Sequence, residues 1–239
     1  MEPHKDLASG TELYRPDIGN GPAEYFERAW TFVNRFYGEE VMAISSTRFD
    51  EVSPGHFFRE YAWVVHATGF SAKAVGKFMP RLMSAYGPWD LLAKEAFGDA
   101  FLRIKLVCNN PQKARAVHAT ARHMTARLFE DEKVVEWGEY KQEHLSSPER
   151  LMRLPYVGPV TCFHLARNLG LLECVKPDLH LVRLASHWGF QDCVKMCESM
   201  RDSHEADSGE RVPLGLVDLA VWYLASHFGT IGLKVEGQR

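Results

Sequence analysis

Residues 154–183 read LPYVGPVTCFHLARNLGLLECVKPDLHLVR, and this stretch decides how the rest of the chain is read. Pro155, Gly158 and Pro159 punctuate a tight hairpin, after which apolar residues recur at helical spacing from Val160 to Leu169. A second turn follows, and Lys176-Pro177 delivers Asp178 directly ahead of another apolar helical run. Glycine at 158 lets backbone approach a ligand with no side chain between. The amides opening the next helix, from Pro159 to Cys162, favour an anion, as does the helix dipole there. Asp178 is placed as a helix N-cap, where backbone amides and the dipole hold a carboxylate as the anion.

Outward from this core the chain reads as helices and short breaks. Residues 1–20 mix polar residues, Gly and Pro without periodicity and are expected to form an arm. Tyr25, Phe26, Ala29, Trp30, Phe32, Val33 and Phe36 predict a helix over 22–37. Ser53-Pro54-Gly55 opens a buried helix, and Ser71 is a candidate cap for the next, over 71–86. One or two short helices are expected in 90–107. Asn109-Asn110-Pro111 starts another over 111–129, and 134–142 is short and amphipathic. Ser146-Ser147-Pro148-Glu149 leads into the hairpin, and helices are predicted over 160–169, 178–188 and about 191–201. A polar loop from Asp202 to Arg211 precedes a last apolar helix from Pro213 to Phe228. No stretch alternates as a strand would, so the fold class is all-α.

The 239 residues carry a net charge of −3, with five cysteines scattered and odd in number. That pattern favours free thiols over a disulfide framework. No apolar run reaches membrane-spanning length, and the N-terminus lacks a signal-peptide pattern. Charge is unevenly spread: residues 56–127 hold eleven Lys/Arg against four acids, a local excess of seven in an otherwise acidic chain. Such a segment suits a polyanion-facing side, although an ordinary solvated face has the same composition.

Two blocks together carry a resemblance. Leu154-Pro155-Tyr156-Val157-Gly158-Pro159-Val160-Thr161-Cys162 is similar to an LPGVGxKTA pattern, and Pro177-Asp178-Leu179-His180-Leu181-Val182-Arg183-Leu184 to VDTHVxRV some twenty residues later. This pairing resembles the helix-hairpin-helix (HhH-GPD) DNA glycosylase superfamily of endonuclease-III-like proteins. The resemblance covers roughly residues 50–230, most closely 150–185, with Pro111-Gln112-Lys113-Ala114 similar to an NSKA-like helix start.

The resemblance implies a two-lobed helical fold with a DNA-binding cleft between the lobes. One lobe is expected from 21–55 with 165–239, and the other, a helical barrel carrying the hairpin, from 56–164. It implies double-stranded DNA containing a damaged or modified base as partner, bound by a monomer with no membrane association. The expected compartment is the cytoplasm, nucleoid-associated, in a bacterium or phage and the nucleus in a eukaryote. Asp178 would stabilise positive charge on the deoxyribose as the N-glycosidic bond breaks. Tyr156, Val157, Gly158, Val160 and Thr161 would form the phosphate-binding hairpin, where relatives often share a monovalent cation with the phosphate. Lys113 and Lys176 are candidate backbone contacts. His66 falls where relatives place a glutamine that fills the gap left by the extruded base. His66, Phe70, Trp30, His187, Asp218 and Trp222 are candidates for the base pocket or for insertion into DNA, with Phe32 and Tyr37 beside them.

Two departures narrow the expectation. Bifunctional relatives carry a nucleophilic lysine where this chain has Val160, so hydrolysis without strand cleavage is expected. Lys176 is the one alternative nucleophile nearby. After Leu184 only Cys193 and Cys197 remain, too few for the relatives' iron–sulfur cluster. Those two with His187 and His204 sketch a zinc set at weak spacing, and no metal cofactor is expected. The competing reading is a catalytically silent helix-hairpin-helix DNA-binding protein. A third is an all-α interaction protein unrelated to DNA. Oxidised or mismatched purines, alkylated bases and modified phage bases all remain open as the target.

Overall fold

A computed structural model describes Tyr14 and residues 16–70, 72–130 and 134–230. Most of the expected arm, and the proposed cap Ser71, lie outside these residues. Among the described residues there are twelve α-helices and no strand. None of these helices is long and apolar enough to cross a membrane.

The chain forms two compact units. One runs from Arg48 to Leu169, and the other joins the segment ending at Thr47 to the segment beginning at Gly170. The sequence placed these crossings at 55/56 and 164/165.

In the second unit, α1 (Pro22–Ser45) packs on α11 (Cys193–Ser208) and α12 (Leu214–Phe228), and α10 (Leu179–His187) closes on α11 and α12. The spacing of Tyr25, Phe26, Ala29, Phe32 and Val33 puts them on one face of α1, and all are buried. Helix α12 is apolar nearly all round because it meets three helices, burying every residue from Leu214 to Val221. Met196, Cys197 and Met200 of α11 complete this core with Leu181 and Leu184 of α10.

The first unit contains α2 (Pro54–Ala67), α3 (Ala72–Tyr86), α4 (Trp89–Leu92), α5 (Phe97–Ile104), α6 (Pro111–Thr125), α7 (Trp137–His144), α8 (Pro148–Leu151) and α9 (Thr161–Asn168). Caps written in the sequence set several starts. Ser53 Oγ accepts from His56 N at 3.1 Å, and Asn110 Oδ1 from Lys113 N at 3.1 Å, each ahead of a proline at the first helical position. A π-helical turn, Ala126–Glu130, continues α6. Helix α2 packs on α3, α6 and α9, and so underlies the hairpin between α8 and α9.

Two expected boundaries move. Helix α1 runs past Tyr37 to Ser45, with a local break at Tyr37 (φ −134°, ψ 19°). The expected polar loop from Asp202 is helical as far as Ser208: Asp202, Asp207 and Ser208 stay exposed, while buried His204 anchors this stretch of the helix to α1. His204 Nδ1 lies 2.7 Å from Glu27 Oε1 of α1, and Arg201 Nη1 donates to Glu173 Oε2 at 3.3 Å. The helix stops only at Gly209, a left-handed cap with φ 75°. The His204–Glu27 pair also takes His204 out of the sketched zinc set, and among the described residues no group of three potential ligands is arranged for a metal.

Candidate active site

In the second unit the loop before α10 is tied to α12 by its backbone. Gly215 N donates to Leu172 O at 2.7 Å, and Lys176 N donates to the Asp218 carboxylate at 2.6 Å. Asp218 is 2% exposed, so this carboxylate serves as a buried anchor for the segment that carries Asp178. Two residues on, Asp178 caps α10: its Oδ1 accepts from His180 N at 2.9 Å and Leu181 N at 3.2 Å. Its Oδ2 has no hydrogen-bond partner among the described residues, and the residue is half-buried. The same amides that build the cap therefore hold an anion with one oxygen still available.

Trp222 stands one turn beyond Asp218 on α12, on the same face. The Lys176 ammonium lies 5.7 Å from the centre of the Trp222 ring. Beside Trp222, Tyr223 meets it edge-on at 5.1 Å and stacks on Tyr37 at 4.0 Å. Asp178, Lys176, Asp218 and Trp222 are thus gathered at one place by α10, α12 and one short loop. His180 Nδ1, 2.8 Å from Thr230 Oγ1, holds the chain after α12 against the same helix start. Burial pushes the Cys193 thiol up to about 11 and raises Cys197 well above the ordinary thiol value, with the Asp218 and Asp178 charges adding to both, so neither thiol is a nucleophile.

In the first unit the hairpin from Leu154 to Thr161 is closed by its own bonds. Val157 N donates to Leu154 O at 3.2 Å, Cys162 N to Gly158 O at 3.0 Å, and Gly158 N to Thr161 Oγ1 at 2.7 Å. Thr161 was expected to reach a phosphate, yet its hydroxyl accepts from Gly158 and locks the turn. Tyr61 of α2, fully buried, donates its hydroxyl to Pro155 O at 2.5 Å and fixes the hairpin's base. The left-handed residue is Tyr156 (φ 65°), the only non-glycine with positive φ among the described residues. Val160 precedes α9 with its side chain 37% exposed. This open position carries no amine.

Several expected site residues lie elsewhere. His66 is fully buried, its Nε2 2.8 Å from Tyr86 Oη, so it is part of the core and not a group poised to enter a duplex. Lys113 is 2% exposed and donates to His66 O at 3.0 Å and Thr68 O at 2.5 Å, so its charge is spent on backbone carbonyls and not offered to a phosphate. Phe32 is core. Trp30 stacks on Phe26 and faces His204, sharing no ring with Trp222. His187 ends the helix that Asp178 begins, nine residues and about 13 Å along the axis, which separates the two. Phe70 is half-exposed and lies over Lys113. Reading the sequence missed the Lys176–Asp218 tie and the burial of Lys113, since both depend on partners more than forty residues away.

No protein-family model matches the chain, and no curated protein matches it by sequence. Solved structures do. The 8-oxoguanine DNA glycosylase of Thermotoga maritima is 18% identical with a TM-score of 0.57, over 92% of this chain and 99% of that one. The 8-oxoguanine glycosylase/lyase of Methanocaldococcus jannaschii, in complex with a 15mer DNA containing 8-oxoguanine, is 16% identical with a TM-score of 0.54, over 87% and 97%. At these identities the likeness is one of architecture, spanning nearly the whole of each chain, and it gives this chain the same all-α fold as these two DNA glycosylases.

Proposed function

We propose that the protein is a monofunctional DNA glycosylase that hydrolyses the N-glycosidic bond of a flipped nucleotide and leaves an abasic site. The observation that carries this reading is the Asp178 carboxylate. Two amides hold it at the start of α10 with Oδ2 unengaged, beside Lys176, Asp218 and Trp222. As the bond between C1′ and the base nitrogen lengthens, its electron pair leaves with the base and positive charge grows on the sugar. A fixed carboxylate favours that charged state over the neutral ground state. Water then bonds to C1′, gives up a proton and completes hydrolysis, while the departing base gains one. Trp222 offers a face for the extruded base, and Asp218, buried beside it, anchors the loop that carries Asp178.

Valine at 160 supplies no amine for attack on the sugar, which favours hydrolysis over strand cleavage. Lys176 is the remaining candidate, and its amine is drawn toward the Trp222 ring. A monovalent cation joining the hairpin and a phosphate would be held by main-chain carbonyls of residues 154–160, each of which keeps a lone pair beyond any internal bond it accepts. Such an ion would offset phosphate charge. Both similar structures are named for 8-oxoguanine, which makes it the first base to test.

The test is single-turnover excision by the monomeric protein over a panel of duplexes carrying oxidised, alkylated, mismatched and modified bases. The expected product is an alkali-labile abasic site whose formation is lost in Asp178→Asn. A protein that binds these duplexes but releases no base from any of them is the silent DNA-binding module instead.

A further inference from the structure

Tyr156 occupies a conformation that costs an L-residue with a side chain roughly 1–2 kcal/mol relative to glycine, and the matching place in the resembled pattern is glycine. Strain of this kind is retained where the side chain has a task. Tyr156 is 41% exposed, and the centre of its ring lies 5.9 Å from the Lys113 ammonium. The same ammonium lies 4.8 Å from the ring of Phe70, itself 50% exposed and braced edge-on by Phe78 of α3 at 5.9 Å. Lys113 thus joins two elements that the sequence keeps far apart, the 66–70 segment and the α8–α9 hairpin. Its bonds to His66 O and Thr68 O fix the first, and its charge faces both rings. Burial lowers the affinity of this amine for its proton, and the two carbonyls keep it paired.

We propose that Tyr156 and Phe70 form one stacking surface for nucleobases of bound DNA, with Lys113 as the positioning residue that holds the two rings in place. Two half-exposed aromatic faces on a charged mount suit the flat faces of unpaired or partly unstacked bases, whose stacking on such rings is tolerant of sequence. A phosphate contact by Lys113 does not fit, because two of its donors are already directed at carbonyls inside the fold. The proposal rests on the DNA-binding reading above.

The experiment measures melting temperature and the affinity, over a range of salt, for a duplex with a tetrahydrofuran abasic analogue. Tyr156→Gly relieves the strain while removing the ring, so it is expected to melt higher yet bind roughly tenfold more weakly. Tyr156→Phe restores the ring and is expected to restore binding. Phe70→Ala is expected to weaken binding without changing its salt dependence. Lys113→Met is expected to weaken binding with the slope of log K against log salt unchanged, whereas a lost phosphate contact would reduce that slope by about 0.9. Undiminished affinity of Tyr156→Gly for a duplex that the wild type binds would overturn the stacking surface alone. A reduced slope in Lys113→Met would overturn the positioning role. A wild type with no affinity for the duplex would overturn both this surface and the reading it rests on.

Discussion

The backbone N–H of Lys176 donates to the buried carboxylate of Asp218 across 2.6 Å, and this bond fixes the segment that delivers Asp178 to the start of α10. Asp218 therefore works at one remove from the proposed chemistry, through the position of another carboxylate. Asp218→Ala would leave the Lys176 amide without its charged acceptor, at a cost of about 2 kcal/mol. A displacement of Asp178 by even an ångström is expected to slow single-turnover excision roughly a hundredfold. Asp218→Asn keeps an acceptor oxygen and should lose much less. Equal rates for the alanine variant and the wild type, in a sample shown to be folded, would remove Asp218 from this role.

Asp178 combines a structural and a proposed chemical task, and two substitutions separate them. Asparagine caps a helix about as well as aspartate, so Asp178→Asn should change stability by less than about 0.5 kcal/mol. It should still lose at least a hundredfold in base release, on the scale of removing one preorganised electrostatic partner of a transition state. Asp178→Ala should lose the cap as well, about 1 kcal/mol. Thermal denaturation beside a single-turnover assay reads both. A large stability loss in the asparagine variant would mean that the carboxylate is needed for folding first.

Val160 is 37% exposed, so replacing it with lysine needs no space in the core. Borohydride reduction of the wild type on abasic DNA is expected to trap no covalent adduct. Val160→Lys is expected to fold with an unchanged melting temperature, and to yield an adduct in proportion to how well its amine reaches C1′. An adduct formed by the wild type and abolished in Lys176→Ala would replace the hydrolytic reading with a displaced nucleophile.

What could be read from the sequence was what is local. Ser53, Asn110 and Asp178 each precede an apolar periodic run, and each caps the helix expected of it. The hairpin was legible because proline, glycine and a helix start fall within eight residues. Lys113 was not: as the third residue of a basic helix it looks solvated, and only carbonyls 45 and 47 residues earlier show that it is buried. The run after Asp202 looked like a loop because its partner Glu27 is 177 residues from His204. His66 looked available for DNA from its position in a motif, while the packing of α2 against α3 encloses it. Local pattern gives element type, but the facing of polar side chains is settled by tertiary partners.

That enclosure makes His66 a source of acid sensitivity. Burial first, then the neighbouring Lys113 charge, pushes its imidazole down to about 4, against an ordinary value near 6.5. Below pH 6.5 the unfolded chain takes up a proton at this position that the folded protein refuses until about pH 4. Stability contributed by neutral His66 is therefore present above pH 6.5 and is lost as the pH falls through this window, by at most about 3 kcal/mol at the bottom. His56 and His144, also lowered mainly by burial, add to the same acid limb. Denaturant titrations at pH 7, 6, 5 and 4 should show free energy of unfolding falling steadily, and His66→Gln should flatten much of that fall while leaving the slope owed to the other two. If the substituted protein keeps the full wild-type slope, His66 is not the group that charges on unfolding.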